Sequence, residues 1–83
     1  MGARSLDEVQ AELLAELETI LVTELSPEDA QRPLHELGVD SLSLVELFIA
    51  IENRFGVKLM ELGLTREDVK TVSAMATAVC RAV

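Results

Sequence analysis

Ser41 is the residue in this chain whose type and setting best suit covalent chemistry. It lies within residues 37–55, which are LGVDSLSLVELFIAIENRF. The short carboxylate of Asp40 can accept hydrogen bonds from the first free N–H groups of a helix, so Asp40 is predicted to be an N-cap. Ser41 is then the first helical residue, and its hydroxyl projects at the positive end of the helix dipole, where a phosphate group is favoured.

The chain lacks the residues that catalytic or metal-binding chemistry requires. A serine hydrolase requires a base beside its nucleophile, but the chain has a single histidine, His35, and no Gly-x-Ser-x-Gly sequence. His35 has no cysteine or second histidine nearby with which to bind a metal. We therefore predict no catalytic residue and no metal ligand, and we expect His35 to be a solvated loop residue.

Composition limits the partners of the chain. Its 83 residues allow one domain, spanning 1–83. A net charge of -8 repels nucleic acid and anionic membranes, and the absence of Trp and Tyr argues against base stacking. No apolar run has membrane-spanning length, and the N-terminus lacks the apolar core of a secretory signal. We expect a soluble, cytoplasmic monomer that binds neither nucleic acid nor membranes.

The first helix is predicted from Leu6 to about residue 24. Ser5 and Glu8 have the spacing of a capping box. The apolar face of this helix is predicted to consist of Leu6, Val9, Leu13, Leu17, Ile20 and Leu21, with Leu14 and Leu25 widening or extending it. Its acidic residues (Asp7, Glu8, Glu12, Glu16, Glu18 and Glu24) have no basic neighbour between residues 5 and 25. We expect their mutual repulsion to lower the stability of the fold.

A long loop is predicted between the first and second helices. Ser26 and Pro27 are typical of the start of a short helical turn, and Pro33 prevents a long regular helix through this region. Leu34 and Leu37 are expected to anchor the loop on the core.

The second helix is predicted from Ser41 to Phe55, with Gly56 as a left-handed C-terminal cap. Its core face is predicted to consist of Leu44, Leu47, Phe48, Ile51 and Phe55. A second apolar stripe, made of Leu42, Val45 and Ile49, lies on the opposite side with Glu46 and Glu52. Loop residues could cover this stripe, or it could be a surface for partner proteins, and we favour the partner surface.

The C-terminal part is predicted to hold a short third helix over about residues 65–69 and a fourth helix capped by Thr71. Four apolar residues of the preceding loop are expected to pack inward or to line an opening between helices: Leu59, Met60, Leu62 and Leu64. The apolar face of the last helix is predicted to be Val72, Met75, Ala76, Val79 and Cys80. Cys80 is expected to be a small buried residue, and as the single cysteine it excludes an internal disulfide. The predicted fold is all-α, a small antiparallel four-helix bundle with three main helices and one short helix.

The stretch around Ser41 resembles the attachment motif of acyl carrier proteins. The match consists of the Leu-Gly pair at 37–38, Asp-Ser-Leu at 40–42, Val-Glu-Leu at 45–47 and Phe-Gly at 55–56. The resemblance implies that Ser41 carries a covalent 4′-phosphopantetheine arm derived from coenzyme A, flanked by Asp40 and Leu42. It also implies that partner enzymes dock on the second helix, at Leu42, Val45, Glu46, Ile49 and Glu52.

The resemblance implies a non-catalytic carrier that holds acyl groups as thioesters on its arm. Its expected partners are a phosphopantetheinyl transferase and acyl-transferring, ketosynthase-type or ligase-type enzymes of fatty-acid, polyketide or related specialised biosynthesis. An aminoacyl or peptidyl carrier, and an unmodified acidic helical adaptor, are the alternatives. Ser43, Asn53 and Arg54 stand where carriers of primary fatty-acid synthesis tend to have acids, which favours a specialised pathway. Arg54 lies toward the edge between the two faces, so Arg54→Glu is expected to have a mild effect on partner docking, or to improve docking to enzymes adapted to more acidic carriers.

Overall fold

The computed structural model describes residues 5–82, which form three α-helices and four short 3₁₀ helices. The α-helices are α1 (Leu6–Leu21), α2 (Ser41–Phe55) and α3 (Val72–Ala82). The 3₁₀ helices cover Pro27–Gln31, Leu34–Leu37, Leu59–Glu61 and Glu67–Val69. The predicted all-helical class is therefore confirmed for this part of the chain, whereas the predicted domain limits, 1 and 83, lie outside the described residues.

α1 begins as predicted and ends three residues early. The Ser5 hydroxyl accepts a 3.1 Å hydrogen bond from the Glu8 N–H, and the Glu8 carboxylate accepts one from the Ser5 N–H. The helix ends at Leu21 because Val22 adopts left-handed backbone angles, with a φ of 55°. The Glu18 carboxylate then accepts a 2.7 Å hydrogen bond from the Leu25 N–H, which holds the chain in its turn away from the helix axis.

The ends of α2 agree with the prediction at both residues. The Asp40 carboxylate accepts a 2.8 Å hydrogen bond from the Ser43 N–H, and the Asp40 carbonyl accepts a 2.9 Å bond from the Leu44 N–H. At the other end, Gly56 has a φ of 72° and donates its N–H to the Glu52 carbonyl. Glycine adopts this left-handed geometry without a Cβ clash, so the helix stops there.

One core joins the three helices. α1 contributes Val9, Leu13, Leu14 and Leu17, α2 contributes Leu47 and Ile51, and α3 contributes Val72, Met75, Ala76, Ala78 and Val79. The connecting segments add Ala30, Leu34, Val57 and Leu59. Leu34 is buried and Leu37 packs against the core, so the predicted anchoring of the loop is confirmed. Leu6, predicted on the core face, is instead 44% exposed, because it lies in the first turn of α1, before the buried stretch begins.

The C-terminal segment contains one α-helix rather than two. The predicted third helix is a 3₁₀ helix of three residues, Glu67–Val69. The Thr65 N–H and hydroxyl both donate to the Asp68 carboxylate, at 2.9 and 3.0 Å, which closes a tight turn in front of it. The Thr71 hydroxyl accepts a 3.0 Å bond from the Ala74 N–H, so the predicted cap of the last helix is confirmed.

Candidate functional site

The start of α2 presents Ser41 at the surface. Gly38, with a φ of 95°, turns the chain before the helix, and the Asp40 carboxylate then caps it. The hydrogen bond from the Ser43 N–H lowers the pKa of Asp40, because it stabilises the ionised carboxylate. Ser41 itself is exposed, so its hydroxyl is open to a reagent that approaches the positive end of the helix.

Ser41 also lines an open cleft of about 630 Å³. One wall comes from the end of the connecting loop and the first turn of α2, and the other from the segment 66–70. The lining residues are Leu34, His35, Val39, Asp40, Ser41, Leu44, Arg66, Glu67, Val69 and Lys70. An exposed hydroxyl beside a cleft of this size has room for a long chain attached through a phosphodiester, so the residues present fit such a group.

The second stripe of α2 is exposed to solvent. Leu42, Val45 and Ile49 are 70%, 44% and 54% exposed, whereas Leu47 and Ile51 on the core face are completely buried. The alternative that loop residues cover the stripe is therefore wrong. Exposed apolar side chains in a contiguous group are typical of a surface that another protein covers.

Met60 extends this exposed apolar surface, although it was expected to pack inward or to line an opening between helices. It is 74% exposed, and it lines a shallow pocket with Phe48, Ile49 and Glu52. Leu62 is also 44% exposed, so inward packing is wrong for both residues, and the alternative that they line an opening stays a prediction. Leu59, in contrast, is buried. Hydropathy alone does not distinguish these residues, because a 3₁₀ turn directs successive side chains to different sides.

The charged end of the Arg54 side chain contacts α1 and not the exposed face of α2. Its Nε lies 3.0 Å from the Glu12 carboxylate and its Nη1 lies 2.6 Å from the Glu16 carboxylate, both on α1. Counted along the sequence of α2, Arg54 would offset one of the acids of this helix. Because Arg54 is paired with α1, it does not offset Glu46 and Glu52, which are exposed beside the apolar stripe. This face is therefore more acidic than the residue count suggested.

His35 and Cys80 have ordinary environments. His35 is exposed, as expected for a loop residue, although it lines the cleft beside Ser41. Cys80 is partly buried and packs against the core, rather than lying fully within it as predicted.

No cluster of three or more His, Cys, Asp or Glu side chains within residues 5–82 is placed to hold a metal ion. None of the helices in that part of the chain has the length and hydropathy that a membrane span requires.

Comparison with known proteins relates most of the chain to one family. Residues 11–79 match the family model described as phosphopantetheine attachment site. The chain is also 36% identical over 62 residues to an acyl carrier protein of Thermobifida fusca (strain YX), a similarity that covers 75% of this chain and 73% of that relative. No solved structure matches the chain with statistical significance.

Proposed function

This chain belongs to the acyl carrier protein family, and we propose that Ser41 is its attachment residue. The prosthetic group of this carrier is a covalently attached 4′-phosphopantetheine. The group supplies a terminal thiol, on which carriers hold acyl cargo as thioesters. The observation that carries the assignment to Ser41 is its position: an exposed hydroxyl on the first residue of α2, directly after the Asp40 cap and beside an open cleft.

Ser41 needs no activating base within this chain. A phosphopantetheinyl transferase, with magnesium, would supply the base that takes the proton from the Ser41 hydroxyl. The Oγ atom would then bond to the pantetheine-side phosphorus of coenzyme A, and the pyrophosphate bond would break with release of 3′,5′-adenosine diphosphate. Asp40 would hold the helix start in place, and Leu42, which is 70% exposed, would contact the transferase beside the reacting serine.

The carrier acts without catalysis of its own and docks its partners on the exposed face of α2. Leu42, Val45 and Ile49 provide apolar contacts, Glu46 and Glu52 provide the charged rim, and Met60 enlarges the apolar area. Apolar anchors with a charged rim favour rapid arrival and a modest residence time. A carrier requires both, because it must leave each enzyme after its step.

The partners proposed are a phosphopantetheinyl transferase and acyl-transferring, ketosynthase-type or ligase-type enzymes. We place the carrier in the cytoplasm as a monomer, in polyketide, fatty-acid or related specialised acyl biosynthesis. Ser43 and Asn53 in place of acids favour a specialised pathway over primary fatty-acid synthesis. The 3₁₀ helix Glu67–Val69 would take the place of the short helix of an antiparallel four-helix bundle.

Mass spectrometry of the modified protein tests the assignment. Incubation of the apo protein with coenzyme A, magnesium and a permissive transferase should add one phosphopantetheinyl group, and peptide mapping should locate it on Ser41. Ser41→Ala should give an unchanged circular dichroism spectrum and gain no mass. Ser43→Ala, a matched control at the second serine in the first turn of α2, should be modified like the native chain. Mass gain in Ser41→Ala would refute the assignment.

A further inference from the structure

Two cationic side chains beside Ser41 have no role in the function proposed above. Arg66 and Lys70 are exposed and line the same cleft as Ser41. Neither forms an ion pair with any residue between 5 and 82, whereas Arg32 and Arg54 each contact two carboxylates. In a chain with a net charge of -8, cations without a carboxylate partner are available to an anion from outside the protein fold.

The backbone fixes these two residues opposite the start of α2. The Leu34 N–H donates a 2.9 Å hydrogen bond to the Lys70 carbonyl, which joins the loop before α2 to the segment 66–70. Arg66 and Lys70 flank the 3₁₀ helix Glu67–Val69, and the Lys70 N–H donates to the Glu67 carbonyl. Hydrogen bonds therefore hold the backbone that carries Arg66 and Lys70 in place, and this segment is not a free loop.

The remaining charges of the cleft leave it close to neutral. Asp40 and Glu67 line it together with Arg66 and Lys70, so two carboxylates balance two cations when His35 is neutral. One oxygen of the Asp40 carboxylate accepts a hydrogen bond from the Ser43 N–H. A monoanion in this cleft therefore meets less repulsion than it would on the strongly acidic remainder of the surface.

We propose that Arg66 and Lys70 bind the phosphodiester of the arm carried by Ser41, and so draw the arm into the cleft. This inference rests on the proposed attachment at Ser41. A phosphodiester keeps one negative charge throughout the physiological pH range, and its bond to the Ser41 Oγ keeps it at the cleft. Leu34, Val39 and Leu44 give the cleft an apolar floor for the neutral part of the arm. Charge-assisted hydrogen bonds from an Arg and a Lys to phosphate are among the stronger polar contacts of proteins.

Amide chemical shifts compared between the apo and holo proteins test this placement. The arm should perturb the amide signals of residues 66–70 and the Arg66 side-chain Nε–H, in addition to the neighbours of Ser41. Arg66→Gln and Lys70→Gln should each reduce the population of arms bound in the cleft roughly two- to fivefold, the range expected for the loss of one exposed charge pair. The perturbation should also shrink at high salt, because exposed charges are screened. Lys58→Gln is the matched control, since Lys58 is an exposed cation outside this cleft, and it should leave the perturbation unchanged.

A second series distinguishes the phosphodiester from an anionic cargo. Three holo forms should be compared with the apo protein: the free arm thiol, the butyryl thioester and the malonyl thioester. The amide chemical shifts of residues 66–70 should change equally in all three. A response confined to the malonyl form would refute the proposal and assign Arg66 and Lys70 to the cargo carboxylate. Perturbation restricted to the neighbours of Ser41 would also refute it, while leaving the attachment site intact. Absence of any mass gain on Ser41 would instead refute the proposed function.

Discussion

The guanidinium of Arg54 on α2 lies 2.6 Å from the carboxylate of Glu16 on α1. The same guanidinium lies 3.0 Å from Glu12, one turn earlier on α1. Two of the acids expected to repel one another along the first helix are therefore bound to a cation from the second. This arrangement gives Arg54 a structural role, so Arg54→Glu should affect the stability of the fold in addition to any effect on partner docking.

Arg54→Gln should destabilise the apo protein through loss of both ion pairs. Because the Arg54 side chain is 39% exposed, solvent screens the pairs, and a loss of about 0.5–1.5 kcal/mol is expected for the two together. Arg54→Glu should cost more, since it adds like-charge repulsion with Glu12 and Glu16. Thermal melting at low salt measures both.

Added salt should raise the melting temperature of the native apo protein, because it screens the excess negative charge. The increase should be larger for Arg54→Glu, in which Glu12 and Glu16 lose their contact with the Arg54 guanidinium and face a like charge instead. Lys58→Glu, an equal charge change at an exposed residue without a described ion pair, is the control. An equal salt response for the two variants would mean that net charge alone, and not the contact with α1, determines the effect.

Ile49→Ala and Ile51→Ala should separate partner docking from stability. Ile51 is completely buried, so its truncation should cost about 2–5 kcal/mol and lower the melting temperature strongly. Ile49 is 54% exposed, so its truncation should leave melting nearly unchanged while slowing modification by the transferase. Val45→Ala should behave like Ile49→Ala, and Leu47→Ala like Ile51→Ala. Equal destabilisation by both isoleucine variants would show that the second stripe of α2 belongs to the core.

Glu46→Lys and Glu52→Lys should weaken partner association mainly through its rate. Both carboxylates are exposed beside the apolar stripe, where they would attract a basic partner surface over several ångströms. The loss should shrink as salt increases, because screening weakens long-range attraction. Stopped-flow association with the transferase at low and high salt measures this, with Glu24→Lys, an exposed acid in the loop after α1, as the control. A salt-independent loss would point to a direct contact and not to electrostatic steering.

Val22→Asn should stabilise the protein. Val22 is the one residue other than glycine with a positive φ in the described part of the chain, and it is 88% exposed. A β-branched side chain disfavours this left-handed conformation, whereas Asn tolerates it. A gain of about 1 kcal/mol is expected, which corresponds to a rise in melting temperature of roughly 4–8 °C. Thr23→Asn, at the adjacent exposed residue, should give no comparable rise.

The sequence by itself determined the features that depend on neighbouring residues. The ends of α2 follow from the Asp40 carboxylate and from the backbone freedom of Gly56, and the capping box of α1 follows from Ser5 and Glu8. The all-helical class and the exposed stripe of α2 follow from the helical period. These predictions succeeded because hydrogen bonds within one turn, and the direction of side chains around one helix, are fixed by local geometry.

Tertiary structure alone decided the features that depend on residues far apart in the chain. Arg54 could have faced solvent or Glu52, and its pairing with Glu12 and Glu16 exists only because α1 packs against α2. Met60 and Leu59 have similar hydropathy, yet the path of the chain across the core buries Leu59 and exposes Met60. The cleft beside Ser41 likewise arises where the segment 66–70 meets the loop before α2. Such contacts depend on how the elements pack, which periodicity and local capping do not specify.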